Sequence, residues 1–190
     1  MSLLPPLPMR RLLLVLLASS GLLVSGCGNK VENRTLAETE GVYVTVADLK
    51  YQVQISRVLN PADVEDRSYL SGVGPEVTPP AADETWFAIF MRVSNPTGER
   101  LEPTSQFTVV DTQEIEFEPV PVDNPFAYRP DMLRAGAVYP DQNSVAGEGV
   151  IQGTMLLFKV KIASLQNRPL ELKIRSEVTP PGEAVVDLDV

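Results

Sequence analysis

The sequence predicts an all-β sandwich, and three observations lead to that fold class. Apolar residues recur at every second position in several short segments, which is the pattern of strands with one buried face. No long segment shows the 3.6-residue period of a helix. The 17 prolines and 12 glycines among the 190 residues lie largely between the periodic segments. Short strands separated by turn residues are typical of a sandwich of two sheets.

The first 26 residues have the features of an export signal. Arg10 and Arg11 precede an apolar run over residues 12–24, which is shorter than the roughly 20 residues that span a bilayer. Residues 24–27 read VSGC and resemble the bacterial lipobox. That resemblance implies cleavage before Cys27 and attachment of lipid to its thiol. The alternative is an uncleaved anchor, or a buried N-terminal helix in which the thiol is incidental.

The lipobox resemblance divides the chain into three parts. Residues 1–26 are expected to be a cleaved signal peptide, and residues 27–41 a lipid-anchored flexible tether, because they are polar and lack periodicity. Residues 42–190 are expected to be the sandwich. The predicted location is the extracytoplasmic side of the cell membrane, with the membrane itself as a partner through the lipid on Cys27.

Eight segments are predicted as strands. Four alternate along their length: 42–47, 49–56, 170–175 and 185–190, the last of which could close the sheet. Two shorter candidates are 106–110 and 115–120, with a turn over 111–114. The other two, 85–93 and 154–162, are apolar on both faces and should be central. On 85–93 the second apolar face carries Trp86 and Phe90, and either loops cover it or it is an exposed patch that binds a partner.

One short helix and two long irregular stretches interrupt the strands. Asn60 before Pro61 has the sequence of an N-cap, so a helix is expected from Pro61 to about Tyr69. The irregular stretches are residues 60–84 and 121–149, and loops of such length are often functional or cover a core. Phe126, Tyr128 and Arg129 in the second stretch could form a recognition surface, or the two aromatic rings could pin the loop to the sandwich.

Composition narrows the classes of function. The net charge of −9 disfavours nucleic acid as a partner, and the absence of histidine removes Ser-His-Asp and Cys-His catalytic arrangements. Asp63, Glu65 and Asp66 lack the spacing of a calcium loop and are expected on a solvated helix face. No catalytic residue, metal ligand or cofactor is predicted.

Four segments resemble a widespread family of bacterial lipoproteins with a telokin-like, immunoglobulin-like domain of unknown function. They read ETWFAIFMRVSNPTGE at 84–99, FTVVDTQ at 107–113, GVIQGTMLLFKV at 149–160 and RPLELKI at 168–174. The resemblance covers most of residues 42–176 and implies an immunoglobulin-like sandwich. Because these motifs are structural, they bear on fold more than on activity.

The expected function is therefore non-enzymatic binding or scaffolding in the cell envelope, with an envelope protein or polymer as the partner. The candidate interaction surface consists of Trp86, Phe90, Phe126, Tyr128 and Arg129. The alternative is a small-molecule or cation-binding protein that uses its acidic loops or a pocket under residues 121–149.

Overall fold

Two β-sheets make up most of residues 33–190, the part of the chain that the computed structural model describes. The strands are β1 (Leu36–Ala37), β2 (Tyr43–Val46), β3 (Leu49–Leu59), β4 (Glu84–Ser94), β5 (Gln106–Val110), β6 (Glu116–Phe117), β7 (Pro119–Val120), β8 (Val138–Tyr139), β9 (Thr154–Lys161), β10 (Leu170–Ser176) and β11 (Gly182–Leu188). The helices are α1 (Val64–Leu70), α2 (Val145–Glu148) and a 3₁₀ helix over Ile162–Gln166.

The sheets pack through one apolar core. The first sheet has the order β1-β11-β10-β5-β6, and the second has the order β2-β3-β4-β9-β7, with β8 beside β4. Tyr51, Phe87 and Phe158 from the second sheet and Phe107 and Ile174 from the first belong to the same buried cluster. Burial of such side chains is the dominant stabilising term in a fold of this kind. The predicted all-β sandwich is confirmed.

Strand β3 contributes to two apolar clusters because its register shifts. Between Val53 and Ile55 its pairing with β4 shifts by one residue, as at a β-bulge. Beyond a bulge, odd-numbered and even-numbered side chains exchange faces of the sheet. Tyr51 and Val53 point into the core between the sheets. Leu59, beyond the shift, joins a second cluster on the outer face of the second sheet. The strand therefore continues past the predicted end at residue 56.

The predicted strand over residues 115–120 is two short strands in different sheets. β6 pairs with β5 in the first sheet, and β7 pairs with β9 in the second, so the chain crosses between sheets at Glu118. The prediction of one strand was wrong because alternation of side chains does not indicate which strand a segment pairs with.

The segment predicted as the end of a flexible tether belongs partly to the sandwich. β1 pairs in parallel with β11, and Ala37 is buried. Thr45 N donates to Arg34 O at 2.7 Å, and the Glu40 carboxylate accepts from the backbone and hydroxyl of Ser56. The sandwich thus includes residues 34–41, which were predicted as tether. The signal peptide and Cys27 lie outside the described residues.

Helix α1 begins three residues after the predicted start. Its N-cap is Asp63, whose carboxylate accepts from Glu65 N and Asp66 N. Asn60 instead forms a tight turn, with its side-chain oxygen accepting from Ala62 N at 3.0 Å. Both residue types compete for backbone N–H groups, so the local sequence allowed either start. The four-residue helix α2 lies within the second irregular stretch and was not predicted.

The predicted turn after β5 is stabilised by a buried carboxylate. Asp111 accepts from Gln113 N at 2.9 Å and Ile115 N at 3.0 Å, and its second oxygen accepts from Asn167 Nδ2 at 2.9 Å. Burial by itself raises the pKa of Asp111, but these hydrogen bonds outweigh burial, and the pKa lies below its usual value.

Candidate binding cleft

The outer face of the second sheet is covered over half its length by helix α1 and the two long loops. Trp86 is 7% exposed and Phe90 is 0% exposed. The ring of Tyr69 lies 4.9 Å from that of Phe90 and 4.7 Å from that of Phe126, edge to face in both pairs. Loops therefore cover the second apolar face of β4, which was one of the two alternatives for it. Trp86 and Phe90 are not an exposed interaction surface.

Helix α1 is held to the sheet by an ion pair between the buried Asp66 and Arg57, whose side chain is 34% exposed. Asp66 is 1% exposed, and its carboxylate accepts from Arg57 Nη2 at 2.6 Å and from Asn60 N at 2.7 Å. The expectation that Asp66 lies on a solvated helix face was wrong, because β3 brings an arginine beneath the helix. Asp63 and Glu65 are exposed, as expected.

Backbone and amide hydrogen bonds join the two loops to each other. Asp123 N donates to Gly72 O at 2.8 Å, and Val73 and Val122 form an isolated antiparallel bridge. Asn124 Nδ2 donates to Tyr69 O at 2.7 Å and also to Ser71 O. The two stretches that the sequence presented as separate irregular segments therefore form one ordered cover.

Tyr128 pins the second loop to the core between the sheets. Its ring lies 5.0 Å from that of Phe107, and its hydroxyl donates to Thr104 O at 2.8 Å. The Tyr51 hydroxyl accepts from Thr104 N at 2.9 Å, so both phenols bond to the backbone of Thr104. Burial raises the pKa of Tyr51 to about 12 and that of Tyr128 well above its usual value. Both phenols are therefore neutral, and their role here is structural.

Arg129 is the one residue of the predicted surface that faces solvent with much of its side chain. That side chain is 55% exposed, and Nη1 lies 2.7 Å from Asp123 Oδ1. Nη2 donates to Val122 O at 2.6 Å. A guanidinium has five N–H donors, so further donors remain for a ligand after these two contacts.

Between the two loops and the edge of β9 lies a cleft of about 370 Å³. Its apolar part includes Val120, Met155 and Leu157, and polar groups of Glu76, Asp123, Arg129 and Ser105 also line it. Gly72 and Gly74 form part of one wall.

The structure brings two of the five predicted surface residues, Tyr128 and Arg129, to this cleft. Phe126 is half-buried against Tyr69 and acts as a pin. Sequence reasoning did not identify Gly72, Val120 or Asp123. The run of glycine and proline after α1 was a signal of a turn, but nothing local indicated which segment would face it.

Neither metal ligation nor a membrane-spanning helix is seen in the described chain. Within residues 33–190, no three residues with carboxylate, thiol or imidazole side chains are grouped as metal ligands would be. The helices of this part of the chain are all too short or too polar to cross a bilayer.

Comparisons with known proteins give fold-level similarities. No family model matches the chain, and no curated protein matches it in sequence. Similar solved structures include ycdA, a candidate lipoprotein of Bacillus subtilis subsp. subtilis str. 168, at 14% identity and a TM-score of 0.48, with 80% of this chain and 39% of that chain covered. The chain thus spans well under half of ycdA.

Two further similar structures are covered almost completely. The yjhA protein of Bacillus subtilis has 10% identity and a TM-score of 0.48, over 80% of this chain and 99% of that chain. An uncharacterized β-sandwich protein of Clostridium difficile 630 has 9% identity and a TM-score of 0.41, over 80% and 95%. At these identities the similarities concern the chain path and give no information about a shared activity.

Proposed function

We propose that this protein is a membrane-tethered, extracytoplasmic binding protein without enzymatic activity, which holds a small amphipathic molecule in the cleft between its two loops. The cleft supports this proposal because its volume of about 370 Å³ falls in the range of small-molecule sites, roughly 300–1,000 Å³. Such sites usually combine an apolar lining with a few polar groups.

The lining also indicates the kind of ligand. Val120 is partly exposed and would contact an apolar body, while Met155 and Leu157, each 1% exposed, lie almost fully buried behind the cleft surface. At the polar part, Arg129 supplies donors while Asp123 and Glu76 supply acceptors. Because charges of both signs are present, the polar end of the ligand is best matched by a neutral hydrogen-bonding or zwitterionic group.

A thermal-shift screen of small amphipathic molecules against the full chain tests the cleft. A ligand at one hundred times its Kd stabilises the folded state by about 2.7 kcal/mol, which is a Tm increase of roughly 5–10 °C for a domain of this size. Ser105→Trp should abolish the shift by filling the cleft. The neighbouring exposed Gln106, which does not line the cleft, provides the control Gln106→Trp. The proposal fails if no compound shifts the wild type, or if both variants respond alike.

The tether rests on Cys27 and the signal-like segment before it. Removing Arg10 and Arg11 with the signal peptide changes the formal charge from −9 to −11, so attraction to anionic lipid would not retain the protein. Two acyl chains would retain it stably. Cys27→Ser should move the protein out of the membrane fraction when cells are fractionated, and unchanged retention would contradict the tether.

A further inference from the structure

The outer face of the second sheet has a second half that the loops do not cover. Pairing of the strands places Tyr43, Gln52 and Arg92 in one row across β2, β3 and β4. The next row along the same strands consists of Thr45, Lys50 and Ser94. Each of these side chains is partly or largely exposed. Adjacent strands lie about 4.8 Å apart, so each row extends about 10 Å across a flat polar surface.

This surface, the six side chains of these two rows, carries two unpaired cations. The side chains of Lys50 and Arg92 form no hydrogen bond or ion pair with any residue in the range 33–190. Arg57, Arg129 and Lys161 are paired with carboxylates, whereas Arg67, Arg100, Arg134 and Lys173 have no ion pair among the described residues either. Lys50 and Arg92 differ from those four in lying on neighbouring strands of one exposed sheet face. The six side chains of the surface together carry a charge of +2, although the net charge of the chain is −9. This local positive charge favours an anionic group at the surface.

Arg92 also lines a recess of about 460 Å³ beside the surface. The other residues lining it are Pro140, Gln142, Gly147, Glu148 and Gln152. Gln142 and Gln152 bring amides to the recess, and Glu148 is its one acid. A guanidinium matches the geometry of a carboxylate through two parallel hydrogen bonds, and the recess leaves room for such a group next to Arg92.

The polar groups between Arg92 and Tyr43 are ordered. Gln52 Nε2 donates to Gly41 O at 2.6 Å, and Gln54 Nε2 donates to Gln52 Oε1 at 2.7 Å. Tyr43 is 41% exposed, so its ring offers a flat apolar face at the end of the row. Because these amides are already held in place, binding a ligand costs less side-chain entropy.

We propose that this surface binds an acidic polysaccharide, with a uronate carboxylate on Arg92 and Lys50 and a sugar ring against Tyr43. A protein partner would instead need a buried apolar centre, and the surface has one aromatic ring among polar groups. The site lies apart from the cleft and does not depend on the function proposed there.

Binding of oligogalacturonate to the full chain in detergent micelles, measured by calorimetry, tests the proposal. Maltohexaose is the uncharged comparison and should bind at least about tenfold more weakly, because it lacks the charge-assisted hydrogen bonds of the carboxylates and one such bond accounts for about a tenfold difference in Kd. Arg92→Gln and Lys50→Gln should each weaken oligogalacturonate binding about tenfold. Glu148→Gln should strengthen it up to about fivefold, because a like charge is removed. Since Arg92 has no partner to lose, its variant should keep the wild-type Tm.

Lys173→Gln is the matched control. Lys173 is a partly exposed strand lysine on β10 of the other sheet, so the substitution makes the same charge change far from the surface. It should leave binding within about twofold. The proposal is overturned if oligogalacturonate does not bind, if maltohexaose binds equally well, or if Lys173→Gln weakens binding as much as Lys50→Gln. Binding to phosphatidylglycerol vesicles without binding to oligogalacturonate would assign the surface to lipid headgroups and would also overturn it.

Discussion

Replacing Gly72 by alanine should destabilise the protein more than the same change at another glycine with a left-handed backbone. Gly72 has a φ of +78°, and a Cβ there would lie 2.0 Å from the carbonyl oxygen of Asp123. Gly41 has nearly the same φ, +79°, but a Cβ there would meet nothing within 4 Å. The two variants therefore share the backbone strain and differ in the clash.

The magnitude follows from the contacts. The left-handed conformation costs a residue with a Cβ about 1–2 kcal/mol, partly offset in both variants by about 0.4–1 kcal/mol from a less flexible unfolded chain. At Gly72 the clash must also separate the loops, breaking the hydrogen bond from Asp123 N to Gly72 O, worth about 1 kcal/mol, and straining the adjacent bridge. We expect Gly72→Ala to be less stable than Gly41→Ala by about 1–2 kcal/mol.

Thermal unfolding of the two variants measures this difference. At 2–4 °C per kcal/mol for a domain of this size, Gly72→Ala should melt about 2–8 °C below Gly41→Ala. Urea unfolding with unchanged m-values would confirm that the native state is affected. Equal melting temperatures would show that the loops are not held together at Gly72, and would refute the described cover of the second sheet.

Three further predictions concern buried polar groups. Because the folded pKa of Asp111 is lowered, its contribution to stability is complete above the unfolded pKa, about 4, and is lost as pH falls through the folded value. The difference in unfolding free energy between wild type and Asp111→Asn should therefore shrink below about pH 4, and a constant difference in acid titrations would contradict the assigned hydrogen bonds. Tyr128→Phe should cost about 1–3 kcal/mol in urea unfolding because it leaves a buried carbonyl unpaired, and Tyr139→Phe, nearer the surface, less than about 1 kcal/mol; equal costs would rule out the buried network. Asp66→Asn should cost about 1.5–3 kcal/mol, whereas Asp63→Asn should be nearly neutral in the same assay because Asp and Asn are both good N-caps; a neutral Asp66 variant would argue against the ion pair with Arg57.

The candidate site shows where sequence reasoning was sufficient and where it was not. The length of the second irregular stretch and its aromatic residues indicated that Tyr128 and Phe126 matter, but both hypotheses, pin and recognition surface, fitted the pattern equally. The partners decided between them: Phe107 and Tyr69 lie against these rings. Arg129 was identified through its residue type, yet its contact with Asp123 depends on the fold of the loop.

Asp66 and the N-terminal segment illustrate why other predictions were wrong. The charge of Asp66 favours a solvated position, and its burial is tolerated because Arg57 on β3 offsets the cost of desolvating the carboxylate. Leu36–Ala37 is too short to show a period, and it is a strand because β11 lies beside it. Both outcomes depend on contacts between residues distant in the chain, which local patterns do not contain.

The amino-acid sequence by itself determined the longer strands and hence the all-β class, because alternation of apolar residues and the conformational limits of proline and glycine act within a few residues. It also carried the charge of the chain and the lipobox-like pattern at Cys27, which are local properties. Only the tertiary structure decided which strands pair, where the chain crosses between sheets, and which apolar face is covered. It also decided that the side chains of Lys50 and Arg92 have no ion pair while Arg57 pairs with Asp66, because pairing and burial depend on which distant segments the packing of the sheets brings together.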